Sequence, residues 1–507
     1  MLQFRTFPEL LLFPTKKRGI MRQLSSCLRK TVLSAALCLS AATANTELKP
    51  LHAGIALEYG KMENLTFFEP AGNTESYTIN RSIGWIVQEA TIEERLDVSL
   101  VLGGLFFQFF PFNKGFDYSK VRNSAVSLGQ ASAKYKFGDI SDPSLSISFG
   151  LMPYKYNPDS RNLGEYLFRS TPYPNTTING SWDYVNSSYS KTKGILVEKD
   201  LFEGKWKNDV ILSLSDEVYP LNDLSLAYTT SFTMGIVDLG AGVNFKNLIA
   251  NSPSITTRKS PFNSYFTYQG KTYYGDDTYY KQIATFFKDD AAKRTLAGDA
   301  TGAAASTALE TGYNRDAFVV DSLFQAEKVA PIGLKREYYT YAGTLIMGRA
   351  SVNLGSLISE NCDLKLYTEL DVLGLANYPI FYENRSERMP IMLGLTIPTF
   401  GLLDYLAVEV EQWKNPYPII YVSALTPGFP KVDYGEMRGL DLTKPYTKDD
   451  LKWSIATKKS VGKYFSINAQ IANDHTRPIR YDFSPYKYET MLDSKAYYYV
   501  LQLQVNM

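Results

Sequence analysis

The chain has 507 residues, of which 45% are hydrophobic and 21% charged, and its formal net charge is +1. Its 53 lysines and arginines are matched by 52 aspartates and glutamates scattered along the chain, which excludes the basic stripe of a nucleic-acid-binding protein. With 2 histidines and 3 cysteines beside 37 tyrosines and 28 phenylalanines, the composition favours β-strands over metal chemistry, and we expect no cofactor.

The first residues predict an exported protein. A basic stretch that begins at Met21 precedes an apolar run over 31–42, and small residues follow at 42–44. This order is typical of a secretory signal peptide, which we place at 21–44 with cleavage after Ala44. The residues before Met21 are interpreted as an upstream extension, with the start codon at Met1 or Met21.

Two alternatives apply to this leader. The apolar run could remain as an N-terminal anchor, although it is shorter than the roughly 20 residues that a spanning helix needs. Cys38 could carry a lipid, although Ala35 and Leu37 stand in the reverse of the usual order. Once the leader is removed, Cys362 is the one cysteine left, which excludes an intramolecular disulfide.

Alternation of apolar and polar residues recurs through the mature chain, 45–507, where no stretch of eighteen uncharged apolar residues occurs. In the clearest case, 364–372, leucines alternate with charged residues. Runs of about ten such residues suit a tilted membrane-crossing strand. Sixteen segments are predicted as strands: 52–60, 78–88, 95–109, 124–137, 144–153, 191–199, 206–215, 222–231, 237–247, 338–354, 363–373, 388–398, 404–413, 451–458, 463–472 and 496–506.

The connections between these strands alternate in length. The even-numbered ones are short, and the odd-numbered ones are mostly longer, notably 154–190, 248–337, 414–450 and 473–495. A membrane barrel places alternate connections on opposite sides, whereas a soluble sandwich has no reason to sort them. The sequence therefore predicts an all-β, transmembrane, antiparallel up-and-down barrel of about sixteen strands, with fourteen to eighteen as the range. Both barrel termini should be periplasmic and the long loops extracellular.

In this arrangement the chain resembles the bacterial outer-membrane porins as a class, since it combines a signal peptide, sixteen amphipathic strands and a last strand at the C-terminus. The resemblance covers essentially all of 45–507. The last strand ends in Met507, where porins of this class usually carry an aromatic residue that the barrel-assembly machinery recognises. The resemblance implies insertion by that machinery into the outer-membrane lipid of a Gram-negative-type bacterium. It also implies passive diffusion of small hydrophilic solutes, and it leaves open a homo-oligomer.

Charged residues on the polar faces of the predicted strands are expected in the lumen, because an Arg or Lys at mid-bilayer costs about 2 to 4 kcal/mol. These residues predict a hydrated pore whose field they set, with a barrel plugged by paired charges as the alternative. The candidate pore-lining residues are Arg95, Asp97, Lys134, Lys136, Arg349, Lys365, Glu369, Asp371, Glu409 and Glu411.

The loop 248–337 is far longer than ordinary connections, and such length is usually functional or partly disordered. Its alanine-rich stretch between 291 and 310 is compatible with a helix. We expect this loop to fold into or over the mouth of the barrel and narrow it. The alternative is an exposed lid without a role in the channel.

A cluster of aromatic and charged residues follows the fifth predicted strand. Tyr154, Tyr156 and Tyr166 could form a track on which sugar rings stack, with the interfacial girdle of a membrane barrel as the alternative.

No enzyme motif of the H-E-x-x-H, G-x-S-x-G or P-loop kind occurs. Asp474-His475 in an outer loop is weak evidence for a barrel hydrolase, so we expect no enzyme. The competing function is a closed structural or adhesive barrel whose outer loops bind a surface or a partner.

Overall fold

A computed structural model gives the fold. It describes 46–66, 74–111, 122–168, 190–214, 220, 222–359, 362–376, 378–382, 384–418, 426, 428–432, 434, 440–473 and 492–507. The signal peptide predicted at 21–44 and the pair Asp474-His475 lie outside these residues.

Within the described residues the chain forms twenty strands, and sixteen of them match the sixteen predicted segments one for one. In chain order the strands are β1 (Thr46–Leu48), β2 (His52–Thr66), β3 (Thr74–Ile92), β4 (Leu96–Pro111), β5 (Arg122–Phe137), β6 (Leu145–Tyr154), β7 (Ser190–Leu201), β8 (Trp206–Leu214), β9 (Leu224–Met234), β10 (Val237–Ile249), β11 (Ser264–Tyr268), β12 (Lys271–Tyr274), β13 (Arg336–Tyr338), β14 (Gly343–Asn353), β15 (Lys365–Val372), β16 (Ile391–Thr396), β17 (Tyr405–Gln412), β18 (Leu451–Val461), β19 (Phe465–Asn473) and β20 (Tyr497–Asn506).

The sheet closes into a barrel. Each strand from β2 to β10 pairs antiparallel with the next, β10 pairs with β14, and the series continues to β20. β20 then pairs with β2, from Gly54 opposite Asn506 to Glu63 opposite Tyr497. The backbones of Ala53 and Met507 exchange hydrogen bonds of 3.0 and 2.7 Å at this seam. The predicted all-β barrel of sixteen strands is confirmed.

Alternate side chains face opposite sides of the wall, as the period of two in a strand requires. On β15, Leu366 and Leu370 are 40% and 38% exposed on the outer surface, whereas Glu369 is fully buried on the inner one. On β20, Leu501 and Leu503 face outward in the same way and Gln502 faces inward. The outward residues are apolar, as on the surface that membrane barrels turn towards lipid.

The connections also alternate as predicted. Turns such as 93–95, 202–205 and 235–236 join strands at the edge of the barrel where the N- and C-terminal strands also end. The long connections emerge at the opposite edge. This edge is called the long-loop rim below.

The connection between β10 and β14 folds as a separate unit, which we call the insert (250–342). It contains the three-stranded sheet β12-β11-β13 and three helices, α1 (Pro253–Thr256), α2 (Asp277–Leu296) and α3 (Ala300–Val329). The side chains of Asp276 and Asp299 cap the two long helices by accepting backbone N–H groups of Thr278 and Gly302. In the part of the chain that the structure describes, no helix is long and apolar enough to cross a membrane.

The insert packs against two other long loops through aromatic rings. The ring centres of Tyr274 and Phe381, which lies in the loop after β15, are 5.4 Å apart. Those of Tyr279 and Tyr434, which lies in the loop after β17, are 6.1 Å apart. An ion pair of 2.8 Å joins Arg294 of α2 to Asp441. These contacts join the insert to two other long loops, and the narrowing of the mouth by this loop stays a prediction.

We expect Leu503→Arg to destabilise the barrel by about 2 to 4 kcal/mol, because it places a charge on the lipid-facing surface near mid-height. Gln504→Arg, one residue further along β20 and facing the lumen, is the matched control and should cost far less. Urea unfolding of protein refolded into lipid vesicles, followed by gel mobility without boiling, measures both. Equal destabilisation by the two variants would contradict the assigned faces.

Candidate functional site

The chain directly after β6 turns into the barrel instead of away from it. Residues 155–168, called the inward segment, contact the inner faces of β10, β15 and β17. At the start of the segment the Tyr154 hydroxyl donates to Asp209 of β8 at 2.8 Å. At its end Asn244 of β10 donates to the Leu167 carbonyl at 2.8 Å. The segment therefore crosses the lumen and joins strands on different sides of the barrel.

Glu409 on the inner face of β17 holds the middle of the segment. It accepts the backbone N–H groups of Arg161, Asn162 and Leu163 at 2.5, 2.8 and 2.9 Å. The Tyr367 hydroxyl also donates to Glu409 at 2.9 Å. Four donors thus converge on one carboxylate that is 1% exposed. A buried carboxylate is tolerated only when hydrogen bonds replace its water.

Glu369 of β15 binds residues near both ends of the inward segment. It accepts from the Tyr156 hydroxyl at 2.7 Å, from the Asn157 amide at 2.5 Å and from the Glu165 backbone N–H at 2.5 Å. Glu411 of β17 accepts from the Gly164 N–H at 3.2 Å and the Tyr166 hydroxyl at 2.6 Å. These carboxylates are 0% and 1% exposed.

The backbone of the segment needs glycine at one position. Gly164 has φ +76°, and a Cβ there would lie 3.0 Å from the Met392 methyl group and 3.3 Å from the Glu369 carboxyl carbon. Only glycine combines that conformation with so close an approach to the wall. Glu165 follows with φ +61°, a strained value for a residue with a side chain. The hydrogen bonds of the turn hold this conformation in place.

Tyr154, Tyr156 and Tyr166 anchor the segment. Their side chains are 7%, 8% and 1% exposed, and they pack in one apolar cluster with wall residues that include Ile211 and Trp413. Because the rings are packed inside the protein and the hydroxyls bind carboxylates, no ring face is presented to a solute. The stacking track predicted for these tyrosines would require the segment to leave this position.

Nine of the ten predicted pore-lining residues lie on inner faces of strands, and five of these, Asp97 among them, form ion pairs. Lys134 pairs with Glu198 at 2.5 Å, Lys136 with Asp97 at 2.7 Å, Arg349 with Asp238 at 2.5 Å, and Lys365 with Asp159 of the inward segment at 2.7 Å. Asp371 is 2% exposed on the same face of β15 as Glu369.

Arg95 is the exception and corrects the prediction. It lies in the short turn before β4 and donates to the carbonyls of Lys136 and Gly138 at 3.4 and 3.0 Å. The preceding Glu93 and Glu94 have positive φ, so the turn interrupts the strand alternation on which the assignment of Arg95 depended.

A cavity of about 210 Å³ lies between the inward segment and the wall formed by β8, β9, β10 and β14. Three cations line it, Lys155, Lys207 and Arg349, together with two carboxylates, Asp209 and Asp238. Hydroxyl groups of β9 complete the lining. Charged and hydroxyl groups surround this space, so it suits ions and small polar solutes.

The sequence analysis did not select Lys207, Asp209 or Asp238, although all three lie in predicted strands and alternate with apolar residues. That alternation could have identified them. It could not have shown that residues 155–168 fold into the lumen, because the donors and the acceptors are about 200 to 250 positions apart along the chain.

No protein-family model matches the chain, and no curated protein sequence matches it. Among solved structures it is similar to a triple mutant of the Rhodopseudomonas blastica porin, with 7% identity, a TM-score of 0.38, and coverage of 91% of this chain and 100% of that one. It is also similar to Salmonella typhi OmpF in complex with daunomycin, with 9% identity, a TM-score of 0.40, and coverage of 91% and 97%. These similarities concern the fold alone, and the strand pairing of the chain itself shows that fold, a closed antiparallel barrel of sixteen strands.

We expect Glu409→Gln to release the inward segment, because the amide offers a weaker acceptor and an N–H group where three backbone donors converge. Bonds to a charged acceptor contribute about 1.5 to 3 kcal/mol each, so trypsin should cleave the folded barrel after Lys155 or Arg161 at least about tenfold faster. Glu198→Gln, which removes the lumen partner of Lys134, is the control. Unchanged cleavage in Glu409→Gln would show that this carboxylate does not hold the segment.

Proposed function

We propose that the protein is an outer-membrane channel for passive diffusion of small hydrophilic solutes, narrowed by the inward segment. The observation that carries the proposal is a segment held inside a sixteen-stranded barrel by Glu369, Glu409 and Glu411, beside a cavity lined by charges of both signs. The proposal assigns the narrowing to this segment, whereas the sequence alone favoured the loop 248–337.

The size of the barrel supports a channel. Sixteen strands enclose more space than their own side chains fill, and barrels of this size leave an aqueous passage unless something occupies it. The inward segment occupies part of the lumen and leaves the cavity beside β9. Because hydrogen bonds along its whole length hold it, the segment sets a constant aperture that excludes large solutes.

The charges at the short-turn end of the lumen also support a hydrated passage. The side chains of Lys134 and Glu198 are 39% and 32% exposed, and those of Lys136 and Asp97 are 23% and 32% exposed. Water therefore reaches these pairs. In a barrel plugged by paired charges they would be buried. Rings of charge in a hydrated lumen filter ions electrostatically.

The proposal includes a location and an orientation. The mature chain, 45–507, would be inserted by the barrel-assembly machinery into outer-membrane lipid, with the short turns and both barrel termini in the periplasm. The insert would then lie on the extracellular side. Alternation of short and long connections supports this orientation, since outer-membrane barrels have short periplasmic turns. Copies could associate as a homo-oligomer.

A second candidate function is a non-conducting barrel whose outer loops bind a surface or a partner. The packing of the insert against the loops after β15 and β17 favours it, because these contacts join three long loops into one surface that a partner could bind. Neither candidate function makes or breaks covalent bonds. A measurement of ion conductance distinguishes them.

In planar bilayers we expect discrete conductance steps from the native protein. In a Cys362→Ser background, Ser231→Cys should lose conductance on reaction with a trimethylammonium methanethiosulfonate, because Ser231 lines the cavity. The control is Val410→Cys on the outward face, where the same reaction should change nothing. A native protein without conductance at any voltage would contradict the channel and favour the second function.

We expect Lys207→Glu to shift ion selectivity towards cations. Lys207 lines the cavity with an exposed side chain, and it has no acidic partner among the described residues. The substitution changes the lumen charge by two units. Lys199→Glu makes the same change on the outer surface of β7 and is the control. Reversal potentials across a KCl gradient measure both, and equal shifts would show that Lys207 does not face the conducting path.

A further inference from the structure

The base of the insert, where it leaves the long-loop rim, exposes cations and apolar side chains together. We call this surface the basal patch. Its apolar members Phe262 and Val329 are 50% and 90% exposed. Its four cations are also exposed: Arg258, Lys259, Lys328 and Lys335.

At the patch, direct contacts join residues that precede β11 to residues of α3 and β13. The rings of Phe262 and Phe324 are 5.4 Å apart, and the Lys328 ammonium lies 4.4 Å from the Phe324 ring centre. The Lys259 ammonium lies 5.9 Å from the ring centre of Tyr338. The residues before β11 and after α3 therefore form one continuous surface.

The acidic residues near the patch already have partners. Glu327 pairs with Arg336, and Glu337 accepts a hydrogen bond from the Tyr265 hydroxyl. Among the described residues none of the four patch cations forms an ion pair with an acidic side chain. The patch therefore presents four positive charges without local neutralisation.

The patch lies at the height of the rim. Thr256 donates to Asp223, which immediately precedes β9, and the Tyr341 N–H, two residues before β14, donates to the Thr256 carbonyl at 3.0 Å. Lys259 is three residues beyond Thr256, so it lies within about 11 Å of this point. The last residues of β10, Leu248 and Ile249, are 53% and 56% exposed. The apolar outer surface therefore reaches the rim beside the patch.

We propose that the basal patch binds the phosphorylated headgroups of lipids in the leaflet on the long-loop side. A bilayer carries about 5 to 8 Å of headgroup region on each side of its hydrocarbon core, and Lys259, within about 11 Å of the rim, puts the start of the patch near this region. Lysine and arginine donate charge-assisted hydrogen bonds to phosphate oxygens. Exposed apolar side chains such as Val329 enter the boundary between headgroups and acyl chains. Lipid binding would hold the insert against the membrane at the edge of the mouth.

Native mass spectrometry of the full chain, refolded in zwitterionic detergent, tests this with phosphatidylglycerol and phosphatidylcholine as probes. The patch variant is R258Q/K259Q/K328Q/K335Q. The control variant, K281Q/K288Q/K293Q/R315Q, removes four exposed cations from elsewhere on α2 and α3. We expect the patch variant to bind phosphatidylglycerol at least about tenfold more weakly, and the control variant to bind it like the native protein. Gel mobility without boiling verifies that each variant is folded.

Three results would overturn the proposal. Both variants could lose phosphatidylglycerol equally, which would indicate general charge attraction, or neither could lose it. An excess of inorganic phosphate could displace the lipid, which would identify a site for free phosphate. Because lipid binding is measured without ion flow, each result is independent of whether the barrel conducts.

Discussion

Three buried carboxylates determine how the lumen is organised. A carboxylate removed from water costs several kcal/mol unless hydrogen bonds replace the lost hydration. Glu369, Glu409 and Glu411 obtain those bonds mainly from the backbone and tyrosines of the inward segment. The segment in turn has backbone N–H groups that an apolar lumen would leave without acceptors. Wall and segment therefore stabilise each other, and neither would adopt its present form alone.

This dependence explains why the open space lies to one side. The acceptors are on β15 and β17, so the polar backbone of the turn faces those strands. Its start faces β8 and β9, where Tyr154 contacts Asp209 and Thr229. The cavity lies on this second side, where Arg349 and Asp238 hold each other in fixed positions. In the proposed channel a solute would pass this ion pair, whose charges hold each other in place, and the exposed side chain of Lys207.

Different forces hold the insert at the long-loop rim. Aromatic rings such as Tyr274 and Phe381, together with the pair Arg294 and Asp441, join it to neighbouring loops. The inward segment is held by buried hydrogen bonds instead. Changes in salt or in lipid would therefore affect the insert more than the segment, because exposed ion pairs are screened by salt and buried hydrogen bonds much less.

The sequence by itself determined the strands, their faces and the sorting of the connections. These features follow from local order, since a strand between lipid and lumen must alternate every second residue. Only the tertiary structure decided that residues 155–168 fold into the lumen and that Arg95 lies in a turn. It also decided that the side chains of Tyr154, Tyr156 and Tyr166 pack against the wall and hold the inward segment. The reason is physical: the partners of that segment lie on strands far along the chain, and only closure of the barrel brings donor and acceptor together.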